Sequence, residues 1–93
     1  MNTPGMSDEA RESRSSDIVA RKGGVMTDEV GAVTGELTLR TELGTDGTVV
    51  QRVQYRGADE WYVVTGSRTT LADGRTLDDV HHEAVKQLAG EGT

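Results

Sequence analysis

The chain has 93 residues and a net charge of −6, values that limit it to one small domain and disfavour broad adhesion to nucleic acid or anionic membrane. Only 33% of the residues are hydrophobic, and the aromatic residues are Trp61, Tyr55 and Tyr62. So few apolar residues provide only a small hydrophobic core, which predicts that a partner or a second copy of the chain completes it. The absence of cysteine excludes disulfides and thiolate metal sites.

No apolar run approaches the roughly 20 residues that a membrane-spanning helix needs. The first residues also lack the apolar region of a secretion signal. We therefore expect a cytoplasmic protein with no membrane partner. The abundance of Arg, Gly, Val, Thr and Asp is typical of a GC-rich bacterial genome.

Residues 1–30 are polar, mixed in charge and without regular hydrophobic periodicity. This composition predicts a disordered or loosely ordered N-terminal tail, followed by a small α+β domain over residues 31–93. Met26 is a candidate internal start, which would make the tail dispensable.

The first regular pattern is a pair of alternating segments, Glu36–Leu43 and Val49–Arg56, which predict an antiparallel hairpin. A two-residue turn would mix the apolar and polar faces, whereas a three-residue loop at Thr45–Gly47 keeps them apart. The predicted pairs are Leu37 with Tyr55, Leu39 with Val53, and Leu43 with Val49. On the opposite face Arg40 then lies across from Arg52, Glu42 reaches diagonally toward Arg52, and Arg56 faces Glu36.

The third predicted strand, Glu60–Gly66, is apolar on both faces. A two-residue turn at Gly57–Ala58 would place Tyr62 beside Val53 and Trp61 on the opposite face, while a three-residue turn would exchange the two sets. In either case one aromatic and one valine remain on the face away from the leucines.

The segment that follows predicts a helix from Leu77 to about Ala89, with an apolar stripe that includes His81. Thr76 is the expected N-cap, Asp79 completes a capping box, and Gly90 marks the end.

The only two histidines are His81 and His82, and their adjacency argues against a shared metal ion, because neighbouring helical residues diverge by about 100°. A zinc site would need further histidine, cysteine or carboxylate ligands, and the sequence has no cysteine and no third histidine. We expect His81 to pack against the sheet with one nitrogen hydrogen-bonded, and His82 to lie at the surface near Asp78. No metal and no cofactor is expected.

No arrangement of side chains indicates an enzyme. Ser67 is the only serine in the patterned region, and only His81 or His82 could activate it. The helix carboxylates lie on an exposed face with no cleft implied.

The predicted architecture is a three-stranded antiparallel meander packed on one C-terminal helix, a two-layer α+β domain. Its element order is similar in layout to the three-stranded-sheet DNA-binding domains of some integrases and plant transcription factors, although no motif accompanies the likeness and layout does not transfer function.

One helix can cover only one face of the sheet, so the helix-free face is the predicted interface. Its residues are Arg40, Val50, Arg52, Gln54, Arg56, Trp61 and Val63. Arginine, aromatic and aliphatic side chains together are typical of interface cores. We expect a small non-enzymatic interaction or regulatory module that forms a homodimer or docks a protein partner through this face or a sheet edge. The alternative is a nucleic-acid-binding domain that uses the same face, with arginines on phosphates and Trp61 stacking on bases.

Overall fold

The computed structural model of the chain describes residues 10–90 and gives them seven strands and one helix. The elements are β1 (Ala10–Val19), β2 (Val25–Thr27), β3 (Gly31–Val33), β4 (Glu36–Gly44), β5 (Thr48–Tyr55), β6 (Tyr62–Val63), β7 (Thr69–Thr70) and α1 (Leu77–Leu88). The main sheet has the order β1-β4-β5-β6, with β7 also paired to β5, and β2 and β3 form a second, two-stranded sheet. The α+β class with antiparallel strands and a C-terminal helix is confirmed, whereas the three-stranded meander is wrong.

The β4–β5 hairpin has the predicted register. Leu37 pairs with Tyr55, Leu39 with Val53 and Leu43 with Val49. Gly47 adopts a φ of 85°, the left-handed conformation that the loop requires. The alternation of apolar and polar residues settles this pairing, since a slip of one residue would turn the leucines to the wrong face.

β6 is shorter than the predicted third strand and pairs with β5 only through Tyr62 with Val53 and Val63 with Arg52. Tyr62 therefore lies on the helix side, as the shorter turn predicts. The pairing stops because the chain turns immediately afterwards, with Ser67 N donating to Val64 O at 3.1 Å.

β1 lies within the segment that the sequence assigns to a disordered tail. Its residues pair with β4 continuously from Glu12 to Val19, after a register shift between Ala10 and Glu12, and residues 1–9 lie outside the described part of the chain. The strand escapes prediction because Ile18 is its only apolar residue in the buried core. Two further residues on the helix side are polar and bind α1 instead: Ser16 contacts His81, and Arg14 contacts Asp78.

The hydrophobic core contains more of the early chain than the sequence suggests. Val25 of β2 and Val33 of β3 are 0% and 2% exposed and join Ile18, Leu37 and Leu39 in one cluster with residues of β5 and α1. The residues before β4 therefore complete the core on the helix side, and the low hydrophobic content does not by itself require a partner.

The helix begins where predicted and ends one residue earlier. Thr76 is the N-cap and forms a reciprocal capping box with Asp79. The end is set by tertiary structure, because Ala89 is extended and bridges Ala20, and Gly90 N donates to Val19 O at 2.7 Å. No helix within residues 10–90 is long and apolar enough to cross a membrane.

Candidate functional site

The strand pairings bring the predicted interface residues onto one surface, the helix-free face of the main sheet. Arg40 lies opposite Arg52, and Val63 lies beside Arg52 on the other side. The guanidinium carbon of Arg40 is 5.8 Å from the centre of the Trp61 ring, within range of a cation–π contact. Val50 lies opposite Glu42 and is buried.

Glu42 is the centre of this face, and it explains how two arginines tolerate direct opposition. Its Oε1 accepts a hydrogen bond from Arg52 Nε at 3.0 Å, and its Oε2 forms an ion pair with Arg40 Nε at 2.9 Å. Glu42 is only 4% exposed, so the charges attract in a less polar setting than water. The sequence predicted the contact with Arg52 and missed the one with Arg40.

The remaining two predicted residues lie toward one end of the face. Gln54 pairs with Thr38 across the hairpin. Arg56 donates from Nη2 to Ile18 O at 2.9 Å and forms ion pairs with Glu36 at 3.4 Å and Asp17 at 3.8 Å. Arg56 thus links the end of β5 to β1 across β4. These exposed pairs contribute little to stability individually, but each places a carboxylate beside an arginine of the face.

The outer edge of β1 is a second candidate surface. Alternate residues of an antiparallel strand direct both backbone groups to the same neighbour. Val19 O accepts from Gly90 N, on the side away from β4, so Ser13, Ser15 and Asp17 direct their N–H and C=O groups to that same side. Within residues 10–90 these groups meet no other strand, and Ser13 O receives only the side chain of Arg14.

A chain of polar side chains lies under the helix, on the other side of the sheet. His81 is 8% exposed, with Nε2 2.7 Å from Ser16 Oγ and Nδ1 2.7 Å from Thr41 Oγ1. Thr41 Oγ1 in turn donates to Gln51 Oε1 at 2.5 Å. The predicted single hydrogen bond of His81 is therefore wrong, because both ring nitrogens have partners. His82 is exposed, as expected.

These bonds define the state of the imidazole ring. A hydroxyl has one proton, so Thr41, which donates to Gln51, must accept from His81 Nδ1–H. In the neutral ring, Nε2 then accepts from the Ser16 hydroxyl. Burial lowers the pKa of His81 from its ordinary value, and the positive charge of Arg14 and the neighbouring His82 lower it further. The negative charge of Asp78 opposes this effect without reversing it.

Within residues 10–90, no three histidine or carboxylate side chains come together in a group that could hold a metal ion. The comparisons with known proteins find no matching family, no matching curated protein and no matching solved structure.

Proposed function

We propose that the protein is an interaction module without enzymatic chemistry, and that it self-associates through the outer edge of β1. The observation that supports this most directly is the row of backbone groups at Ser13, Ser15 and Asp17, which has no partner strand within residues 10–90. An exposed strand edge is a template for the addition of another strand.

The residues of β1 suit pairing with the same strand of a second copy. An antiparallel register centred on Ser15 places Ser15 opposite itself, Ser13 opposite Asp17, and Arg14 opposite Ser16. No like charges face one another in this register. A register centred on Arg14 would place two arginines in direct opposition, which is unfavourable.

The paired edges would form about six backbone hydrogen bonds, because each hydrogen-bonded pair of residues exchanges two. At about 0.5–1.5 kcal/mol each they contribute roughly 3–9 kcal/mol, against an association cost of about 4–15 kcal/mol. The most favourable balance of these values is a net gain of about 5 kcal/mol, so we expect a weak, reversible dimer with a dissociation constant of about 0.2 mM or higher.

The two-fold axis of such a dimer is perpendicular to the sheet, so both helices lie on one side and both helix-free faces on the other. Trp61, Arg40 and Val63 of the two copies would then belong to one continuous surface, available to a further protein partner. The helix-free face would thus serve as the docking surface for that partner, while the edge of β1 carries the self-association.

The nucleic-acid alternative has less support, because the arginines of the helix-free face already have carboxylate partners. Arg52 and Arg40 contact Glu42, and Arg56 contacts Glu36. Phosphate binding would have to compete with these pairs, in a protein whose net charge is −6. A titration with duplex and single-stranded DNA at low salt tests it, and we expect no binding at micromolar protein.

The decisive experiment compares Ser15→Pro with Ser15→Thr by sedimentation velocity at increasing concentration, up to about millimolar protein. Proline removes an N–H that points away from β4, so the inner ladder survives while the outer edge is blocked. We expect the wild type and Ser15→Thr to dimerise and Ser15→Pro to remain monomeric.

Trp61→Glu serves as the comparison for the helix-free face, and we expect it to dimerise like the wild type. A wild-type protein that stays monomeric throughout, or a Ser15→Pro variant that dimerises equally well, would refute the edge. If only Trp61→Glu loses dimerisation, the dimer contact lies on the helix-free face and not at the edge of β1.

A further inference from the structure

A cleft of about 390 Å³ lies on the helix side of the sheet, between α1 and the chain around β6 and β7. We infer that it binds a small uncharged molecule with a carbonyl group and an apolar body. The volume is within the usual range for small-molecule sites. The cleft is on the opposite side of the sheet from the helix-free face, so this inference does not depend on self-association.

Gln51 provides the polar group of the cleft. It is 7% exposed, and three of its four polar groups are satisfied: Oε1 accepts from Thr41, the backbone N–H donates to Ser67 Oγ, and the backbone carbonyl accepts from Val64 N. Its side-chain Nε2 has no hydrogen-bond partner within residues 10–90. This amide N–H₂ keeps access to solvent and is therefore a donor available to a ligand in the cleft.

Apolar side chains form the adjoining walls of the cleft. They are Val64, Val80, Ala84 and Leu88, and Met26 contributes an exposed side chain to the lining. A ligand with an aliphatic portion would cover these groups while its polar end reaches Gln51. The combination of apolar walls and a single well-placed donor is typical of sites that select both shape and orientation.

The charged residues of the cleft lining favour a neutral ligand. Arg21 already donates to two backbone carbonyls, those of Gly24 and Gln87. Glu83 forms an ion pair with Arg75 at 3.2 Å. One cation and one anion therefore line the cleft, each with a partner, and neither sign of ligand charge is preferred.

Ligand binding would also fix the hydrogen bonds beneath the helix. A carbonyl that accepts from Gln51 Nε2 holds the amide with Oε1 toward Thr41, and Thr41 must then accept from His81 Nδ1–H. A bound carbonyl thus keeps His81 in the Nδ1-protonated state described above, and the two ring nitrogens give distinct ¹⁵N signals.

The test uses the full ¹⁵N-labelled chain and three probes of equal length: hexanamide, hexanoate and hexylamine. We expect hexanamide to shift the Gln51 side-chain N–H₂ signals, with a dissociation constant on the order of millimolar for so small a probe. Hexanoate and hexylamine should shift them at least about fivefold less at equal concentration, because each would bury a charge. Equal or stronger binding of either charged probe, or no response to hexanamide, would overturn the inference.

A variant pair tests the role of Gln51 directly. Gln51→Met keeps the length of the side chain and removes the donor, and it should weaken hexanamide binding about five- to tenfold. Gln54→Met, on the opposite face of the same strand, should leave binding unchanged. If Gln51→Met does not fold, contacts between the hexanamide methyl and the methyl groups of Val80 and Ala84 in the wild type decide the matter. Their absence would refute the site.

Discussion

Replacing Glu42 with glutamine should lower the free energy of unfolding by about 2–3 kcal/mol. Glutamine has nearly the same shape but carries no charge, and its amide group cannot accept from both arginines. One oxygen can still accept from Arg52, whereas the N–H₂ group would face Arg40, which has only donors to offer. The substitution therefore breaks one charge contact outright and weakens the other.

The magnitude follows from how deeply the three side chains are buried. Removing one member of a fully buried ion pair costs about 3–5 kcal/mol. The side chains of Arg40 and Arg52 are each 21% exposed, so both keep some hydration after Glu42 is neutralised, and the cost falls to about 2–3 kcal/mol. For a domain of this size the loss corresponds to a Tm decrease of about 8–24 °C.

Urea denaturation at neutral pH, followed by Trp61 fluorescence, measures the effect. Glu36→Gln is the matched control, since it lies on the same strand and face, pairs with Arg56 and is exposed. It should change stability by less than about 0.5 kcal/mol. Equal losses of stability in the two variants would show that the burial of Glu42 between the arginines adds nothing to its stabilising effect.

Three further results are expected. The free energy of unfolding should decrease as the pH falls below about 6.5, because His81 binds a proton in the unfolded chain at a higher pH than in the folded chain, where its pKa is lowered. In urea titrations at several pH values, the decrease should be smaller in His81→Gln. Calorimetry should show that Ile18→Ala costs about 2–4 kcal/mol, while exposed Val19→Ala costs less than about 0.5 kcal/mol. Gly24→Ala should destabilise more than Gly47→Ala in urea titrations, because a Cβ at Gly24 would lie 2.8 Å from a backbone oxygen, whereas Gly47 has open space.

Sequence reasoning predicted the parts of the fold that repeat a pattern. The β4–β5 hairpin and the capped helix were found because apolar spacing and loop chemistry agree there. β1 was missed because hydrogen bonds to the helix, such as that of Ser16 to His81, replace most of its apolar burial. β2 and β3 were missed because each has only three residues, too few to show a period.

The candidate sites divide in the same way. The cluster around Glu42 followed from the hairpin register, which places Arg40 opposite Arg52. The cleft did not follow from the register, although the sequence contains two polar residues that indicate it. Thr41 and Gln51 occupy positions on the predicted apolar face of the hairpin, and polar residues at such positions need partners.

The polar character of β1 has a consequence for any shorter product of this chain. A polypeptide that starts at Met26 would lack β1, and the edge of β4 that pairs with β1 would have no partner strand. That edge lies beside the core residues Leu37, Leu39 and Leu43. The truncated chain would therefore present a long unpaired strand edge next to apolar side chains, which favours aggregation. The serine-rich first strand therefore covers an edge of β4 that would otherwise be open to pairing with other chains.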